Sequence, residues 1–462
     1  MPRKKGDAMT DRETMDKIYR YVDANGDSFV ETLRSFCRQP SISSEGVGIR
    51  EMVGLLKREM ERIGIETTVH ETTGNPIVTG VIKGKTDRTL MFYNHYDVQP
   101  PDPVEKWDSP PFQADVRDGR VWARGATDNK GNLLSRLKAV ESVVKVKGEL
   151  PVTVKFLFDG EEEIGSPSLL PFVKSHGELL RAGGCVWEEG AWKDRPDQPL
   201  IVLGNKGLLS FGLKARSANV DFHSSYAQIY ENACWRLVWA ITSMKGPDEK
   251  VLIDGFYENV SPVTAEEDKY ISGMPVFDEE ERLRHFGMRR FILGLSGKDL
   301  VRRHLTEPSC NVSGLLGGYT GPGVKTIVAS EARAKVDFRL VPNQRPMDIY
   351  EKVRRHLNKH GFSDIEMTPA AFASEPSLPP IDSDIVKAIQ KASREFYHQE
   401  AVMKVRGTGG TPSWMVTNYL HVPIAGTGLG TAIARAHGHN EHVVISEFLD
   451  CTKFMATLLY DF

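Results

Sequence analysis

Residues 89–97 read TLMFYNHYD. Thr89 to Tyr93 is a compact apolar run with the length and texture of a strand buried on both faces. His95 and Asp97 follow at its end, and in open α/β sheets the carboxyl ends of strands are where ligands sit. A second run of the same kind, VTVKFLF at 152–158, leads directly into Asp159-Gly160-Glu161-Glu162-Glu163. Between them, Leu133, Leu134, Leu137, Val140 and Val144 share one helical stripe within 131–146. Strand, helix and strand in this order imply an α/β fold with a mostly parallel sheet.

The flanking segments extend that pattern. Apolar positions at three- and four-residue steps predict helices over 16–37 and 47–63, and β character follows at 67–70 and 77–82. Five prolines within 99–111 mark a loop. After Gly204 the texture changes: LLSFGLKARSA alternates like a half-exposed strand, 232–244 reads as a helix, 266–285 is highly charged, and 333–340 is again strand-like. This is an α+β domain inserted into the first. Helical patterns resume at 381–397 and 448–459, so the ends fold together as one domain, 1–207 with 375–462, around an insert at 208–374.

The 462 residues carry 59 Lys+Arg against 62 Asp+Glu, with 40% apolar residues. That is the composition of a soluble globular protein of two or three folding units. A net charge of −3 gives no global reason to bind nucleic acid or an anionic membrane, and neither is expected as a partner. The five cysteines are scattered and lack C-x-x-C spacing, which argues against a disulfide framework and a thiolate zinc site and favours a cytoplasmic location. No stretch has the apolar run of a secretion signal or a membrane helix.

His95 is placed to hold a metal, with Asp97 accepting the other ring N–H of a nearby histidine, although H-x-D alone describes a structural or surface histidine equally well. Asp128, in RGATDNKG, stands beside a helix start as either a ligand or a cap. The four carboxylates of 159–163 repel one another unless cations or protons neutralise them; a solvated acidic loop is the plainer alternative. Glu188-Glu189 follows the apolar CVW, and His437 and His439 lie in AHGHNEH after a Gly-rich turn. Two histidines with three or four carboxylates, mostly at strand ends, supply N and O ligands suited to zinc or manganese in a two-metal hydrolytic site.

The segments NHYDVQP, WDSPPFQADVRDGRVWARGATDNKG, DGEEEIGS, DFHSS, VDFRLVP and AHGHNEH resemble the metallopeptidase M20 family, most closely its cytosolic, carnosinase-like dipeptidase branch, over nearly the whole chain. The resemblance implies two divalent ions per subunit, zinc first with manganese or cobalt as alternatives. Asp128 would bridge them, His95 and Glu188 completing one site and Glu163 and His437 the other. Glu188 is preferred to Glu189, and the spacing His-x-x-Asn-Glu selects His437 over His439. Glu162 would be the general base and Asp97 the support of His95, in hydrolysis of a dipeptide or short peptide by a metal-bridged hydroxide. The insert would act as lid and homodimer interface, with His223 reaching the opposite subunit's site. Asn311 and Arg339 resemble substrate-contacting residues. Gly410 and Thr411 stand where relatives carry a Gly-Gly-Ser-Ile-Pro loop that binds a terminal carboxylate. Here Thr411 replaces Ser, nothing separates it from Pro412, and Thr408 occupies the place of an acidic residue. A deacylase or carboxypeptidase of the same family is the alternative activity, and a non-catalytic peptide-binding protein the alternative from another class.

Overall fold

The computed structural model describes residues 5–188, 195–276 and 278–462. Glu189, the alternative to Glu188, lies outside them. The chain divides into two compact units: Met1–Leu203 with Pro379–Lys404 and Met415–Phe462, and Gly204–Leu378 with Val405–Trp414.

The first unit is built on an eight-stranded sheet. In chain order its strands are β1 (Glu66–His70), β2 (Ile77–Ile82), β3 (Thr89–His95), β4 (Thr153–Asp159), β5 (Gly184–Trp187), β6 (Leu200–Gly204), β7 (Val402–Arg406) and β8 (Ile424–Gly426). Their spatial order is β1-β2-β4-β3-β5-β8-β6-β7. The centre is parallel, β4 with β3, β3 with β5 and β5 with β8, whereas β1 pairs with β2, β2 with β4 and β6 with β8 antiparallel. The apolar run that predicts a doubly covered strand is one: Leu90, Met91, Phe92 and Tyr93 have no exposed surface. Because the central strands run the same way, His95, Asp159 and Trp187 all end at one edge of the sheet.

The helix Lys130–Lys147 departs from the expectation of a single buried stripe. Every residue from Lys130 to Val143 is buried, because the helix is covered both by the sheet and by the helices Lys5–Ala24, Gly26–Arg38, Ile49–Ile63 and Ile445–Asp461. Its buried cationic residues reach partners far away in the chain. Lys130 Nζ donates to the carbonyls of Phe36 and Gln39, and Lys138 pairs with Glu59 at 2.7 Å and Glu141 at 2.9 Å. The Arg136 guanidinium donates to the carbonyls of Tyr93, Trp187 and Thr427, tying together the ends of β3, β5 and β8. Among the described residues no helix is long and apolar enough to cross a membrane.

The second unit holds an antiparallel sheet in the order Ser309–Gly317, Glu331–Leu340, Gly207–Arg216 and Glu366–Met367. Along Gly207–Arg216 burial alternates residue by residue, as the sequence pattern requires. The inward residues, among them Leu209, Phe211, Val336 and Phe338, form a core with Leu237 of the helix Ala233–Met244 and Val353 of the helix Pro346–Lys359. The charged stretch 266–285 folds into two short helices, Ala265–Gly273 and Glu279–His285, the first closed by a Thr264–Glu267 capping box. Residues 405–414, expected in the domain formed by the chain ends, group with this unit instead, the last two residues of β7 among them. Arg406 makes a buried ion pair with Glu267 at 2.7 Å, and Asn205 donates to Thr411 Oγ1 at 3.1 Å.

Candidate metal centre

His95 closes β3 and is almost fully buried. Its Nδ1 lies 3.0 Å from the Asp97 carbonyl oxygen and 3.3 Å from the Asp97 carboxylate, which leaves Nε2 facing Asp128 Oδ1 at 3.1 Å and Glu188 Oε2 at 3.6 Å. On the other side of Asp128, His437 Nε2 is 3.0 Å from Oδ2 and 3.2 Å from Glu163 Oε2. Asp128 therefore gives one oxygen to each histidine, and each histidine has a glutamate of its own. Glu162 joins the first group, its donor atom lying within 4.8 Å of those of His95 and Glu188.

Asp97 does more than orient a ring. Its two oxygens accept the backbone N–H groups of Glu162 at 3.3 Å and Glu163 at 3.1 Å, so the turn that carries both glutamates is fixed to the residue that faces His95. The acidic run 159–163 also divides in a way that its composition does not reveal. Asp159 accepts hydrogen bonds from Ser166 Oγ at 2.6 Å and the Glu161 N–H at 3.0 Å, and Glu161 accepts from the N–H groups of Asn75 at 2.8 Å and Ser168 at 2.9 Å. Those two carboxylates have their oxygens satisfied by structural donors. Only Glu162 and Glu163 turn toward the histidines.

A residue outside the expected set holds Asp128 in place. Glu441, fully buried, accepts the N–H groups of Gly125, Thr127 and Asp128, each at 2.9 Å, and pairs with the equally buried Arg124 at 2.7 Å. Both residues lie inside quoted motifs, but 317 positions separate them, and only burial identifies them as partners. Glu441→Gln removes the charge from a buried pair and replaces an acceptor oxygen with an amide. It is expected to cost about 3–5 kcal/mol, read as a lower denaturation midpoint in urea with an unchanged slope.

The electrostatics are those of a site short of cations. Burial works against charge on His95, but Glu188, Asp128 and Asp97 outweigh it and hold the imidazole well above its ordinary range. Hydrogen bonds to Asp128 and Glu163 push His437 up to about 10. Burial opposes ionisation of Asp128, and the hydrogen bonds of His437 and His95 reverse that and hold it below the usual carboxylate range. Burial raises Glu162 to about 8, countered by His95 and reinforced by Glu163, Asp128 and Asp97. Among the described residues no Lys or Arg forms an ion pair with Asp128, Glu162 or Glu163, and Glu163 Oε1 is buried without a hydrogen-bond partner. Orphaned, acceptor-only oxygens beside two imidazoles form a donor set that fits divalent cations of the zinc or manganese type.

The remaining expected residues lie in the second unit. His223 is exposed, and its Nδ1 accepts the Ser225 N–H at 3.1 Å, so Nε2 is left as the outward nitrogen. Asn311 donates to Asp337 at 3.0 Å across the paired strands. Thr411 Oγ1 donates to Ser413 Oγ at 2.8 Å, Gly410 is exposed, and Arg339 lines a cavity.

A parallel-centred sheet that gathers histidines and carboxylates at one edge, in a chain interrupted by an α+β unit, defines a hydrolase of the metal-dependent class. Residues 91–461 match the model of peptidase family M20/M25/M40, and the chain belongs to that family as an M20-type metallopeptidase. The human protein named Beta-Ala-His dipeptidase is 26% identical, over 97% of this chain and 92% of its own length. The Cys-Gly metallodipeptidase dug1 of Schizosaccharomyces pombe is also 26% identical, over 75% of this chain and 76% of its own. Among solved structures, the M20 family metallo-carboxypeptidase Sso-CP2 from Sulfolobus solfataricus shares 36% identity, with a TM-score of 0.83 over 93% of this chain and 98% of that one.

Proposed function

We propose that the chain hydrolyses the peptide bond of dipeptides or short peptides, with two divalent cations held by His95, Asp128 and Glu188 on one side and Asp128, Glu163 and His437 on the other. The observation that carries this reading is Asp128, whose two oxygens stand 3.1 and 3.0 Å from the Nε2 atoms of two different histidines. When bound, such a cation pair lowers the pKa of a water toward neutrality and polarises the scissile carbonyl.

The chain's own residues supply the rest. Glu162 takes the proton of the attacking water and returns it to the departing amine, which cannot leave as an anion. Asp97 holds His95 and the Glu162–Glu163 turn in one arrangement, so the base and the ligands are positioned together. His223 offers an N–H to the oxygen that becomes negative as the carbonyl is attacked. Arg339 suits bidentate capture of a substrate carboxylate. A homodimer, in which His223 serves the opposite subunit, is favoured by apolar surface on the second unit: Trp235 and Trp239 stack at 5.8 Å while more than half exposed, and Leu315 and Leu316 are exposed on the sheet-edge strand Ser309–Gly317. Zinc is the first candidate, manganese and cobalt the next, and the cytoplasm the expected location.

The likeness to Sso-CP2, a metallo-carboxypeptidase by name, favours carboxypeptidase action as a second reading, and deacylase action on N-blocked substrates would use the same metal chemistry. Steady-state rates on free dipeptides and on N-acetyl and N-succinyl amino acids, after loading with zinc, manganese or cobalt, separate the two. Free dipeptides are expected to give the higher kcat/KM. Preference for the blocked substrates would assign the second reading, and no amidase activity on any of them would remove both.

A further inference from the structure

Arg136 has no exposed surface, and among the described residues it makes no ion pair. A buried cation without a counterion is costly unless its donors are all well placed. Both arms of the guanidinium are occupied. Nη1 donates to the Tyr93 carbonyl and to Asn94 Oδ1, and Nη2 to the carbonyls of Trp187 at 2.8 Å and Thr427 at 2.9 Å. Asn94, itself fully buried, donates in turn from Nδ2 to Asn129 Oδ1. Tyr93 lies two residues before His95, Trp187 immediately before Glu188, and Asn129 immediately after Asp128. Three segments far apart in the chain, each carrying one of the groups assigned to the first cation, thus converge on one side chain.

The groups assigned to the second cation alone are held by other donors. Glu163 has its N–H on Asp97 and accepts from Gln99 Nε2 at 2.9 Å, and the His437 carbonyl accepts from Arg124 at 3.2 Å. The charges agree with this division: burial pushes the Arg136 guanidinium down to about 10, and the Cys451 thiol and then Glu188 work against that. We propose that Arg136 is a positioning residue of the first cation site, fixing the backbone beside His95 and Glu188 and, through Asn94, beside Asp128. This rests on the reading of those three residues as ligands. A planar fork can span two pairs of acceptors in fixed directions, which the point charge of a lysine cannot.

The test is calorimetric titration of the cation-free protein with zinc or manganese, with the two sites read one at a time. His437→Ala leaves the first site and His95→Ala leaves the second. In the His437→Ala background, Arg136→Lys is expected to raise the Kd about tenfold or more, the scale on which groups behind metal ligands act. In the His95→Ala background the change should stay within about threefold. A residue that served only the fold would lower the urea midpoint and move the two affinities alike. Equal changes at both sites, or no change at the first, therefore overturn the proposal. Arg136→Gln, neutral and able to reach only one pair of acceptors, makes the same comparison should Arg136→Lys not fold, and the same split is expected. If the unaltered protein binds no divalent cation, the reading of the metal centre has failed and this proposal falls with it. If it binds two and the split is absent, only this proposal fails.

Discussion

Glu162→Gln is expected to keep its bound cations and lose about 10³-fold in kcat, within the range that general acid–base catalysis supplies. The side chain is isosteric, and the backbone N–H of Glu162 continues to donate to Asp97, so the turn and its neighbour Glu163 keep their positions. What disappears is the capacity to take a proton from water and return it to the leaving amine. Metal content by mass spectrometry should match the unaltered protein, with KM changed little. A variant retaining more than about a tenth of the original kcat would show that another group is the base. Loss of metal together with activity would make Glu162 a ligand instead.

Asp128→Asn is expected to reduce kcat by about 10⁴-fold or more, through loss of both cations. The asparagine has one acceptor oxygen where the aspartate has two, and no charge, so one of His95 and His437 would face an amide NH₂. The fold of the cation-free protein should survive at a lower midpoint: Glu441 keeps its bond to the backbone N–H of residue 128, while the charged hydrogen bonds of the Asp128 side chain to His95 and His437 are lost. The measurement pairs a metal titration by calorimetry with a urea midpoint taken without metal. Two binding events are expected for the unaltered protein and none of comparable affinity for the variant, whose cation-free midpoint is lower but whose unfolding stays cooperative. Retention of one tight site would mean that the aspartate belongs to a single ion.

The strands that position the centre were legible as apolar runs, since a strand covered on both faces has no polar face to interrupt it. The ligand candidates were legible because histidines and carboxylates recur just beyond those runs and within family-like motifs. Other features depend on partners far away in the chain. Asp159, Glu161, Glu162 and Glu163 carry the same charge in one short segment, and only the donors Ser166, Asn75 and Ser168 show that two of them are structural. The helix Lys130–Lys147, buried from Lys130 to Val143, shows an amphipathic stripe because Lys130, Arg136 and Lys138 meet carbonyls and carboxylates from five other segments, which periodicity does not register. Residues 405–414 joined the second unit through Arg406 and Glu267, a pair 139 positions apart.

Diffraction from crystals loaded with zinc or manganese, recorded at the metal's absorption edge, tests the shared role of Asp128 most directly. Two anomalous peaks are expected, one between His95, Asp128 and Glu188 and the other between His437, Asp128 and Glu163, each at coordination distances of about 2.0–2.2 Å. A single peak, or two that do not share Asp128, would contradict it.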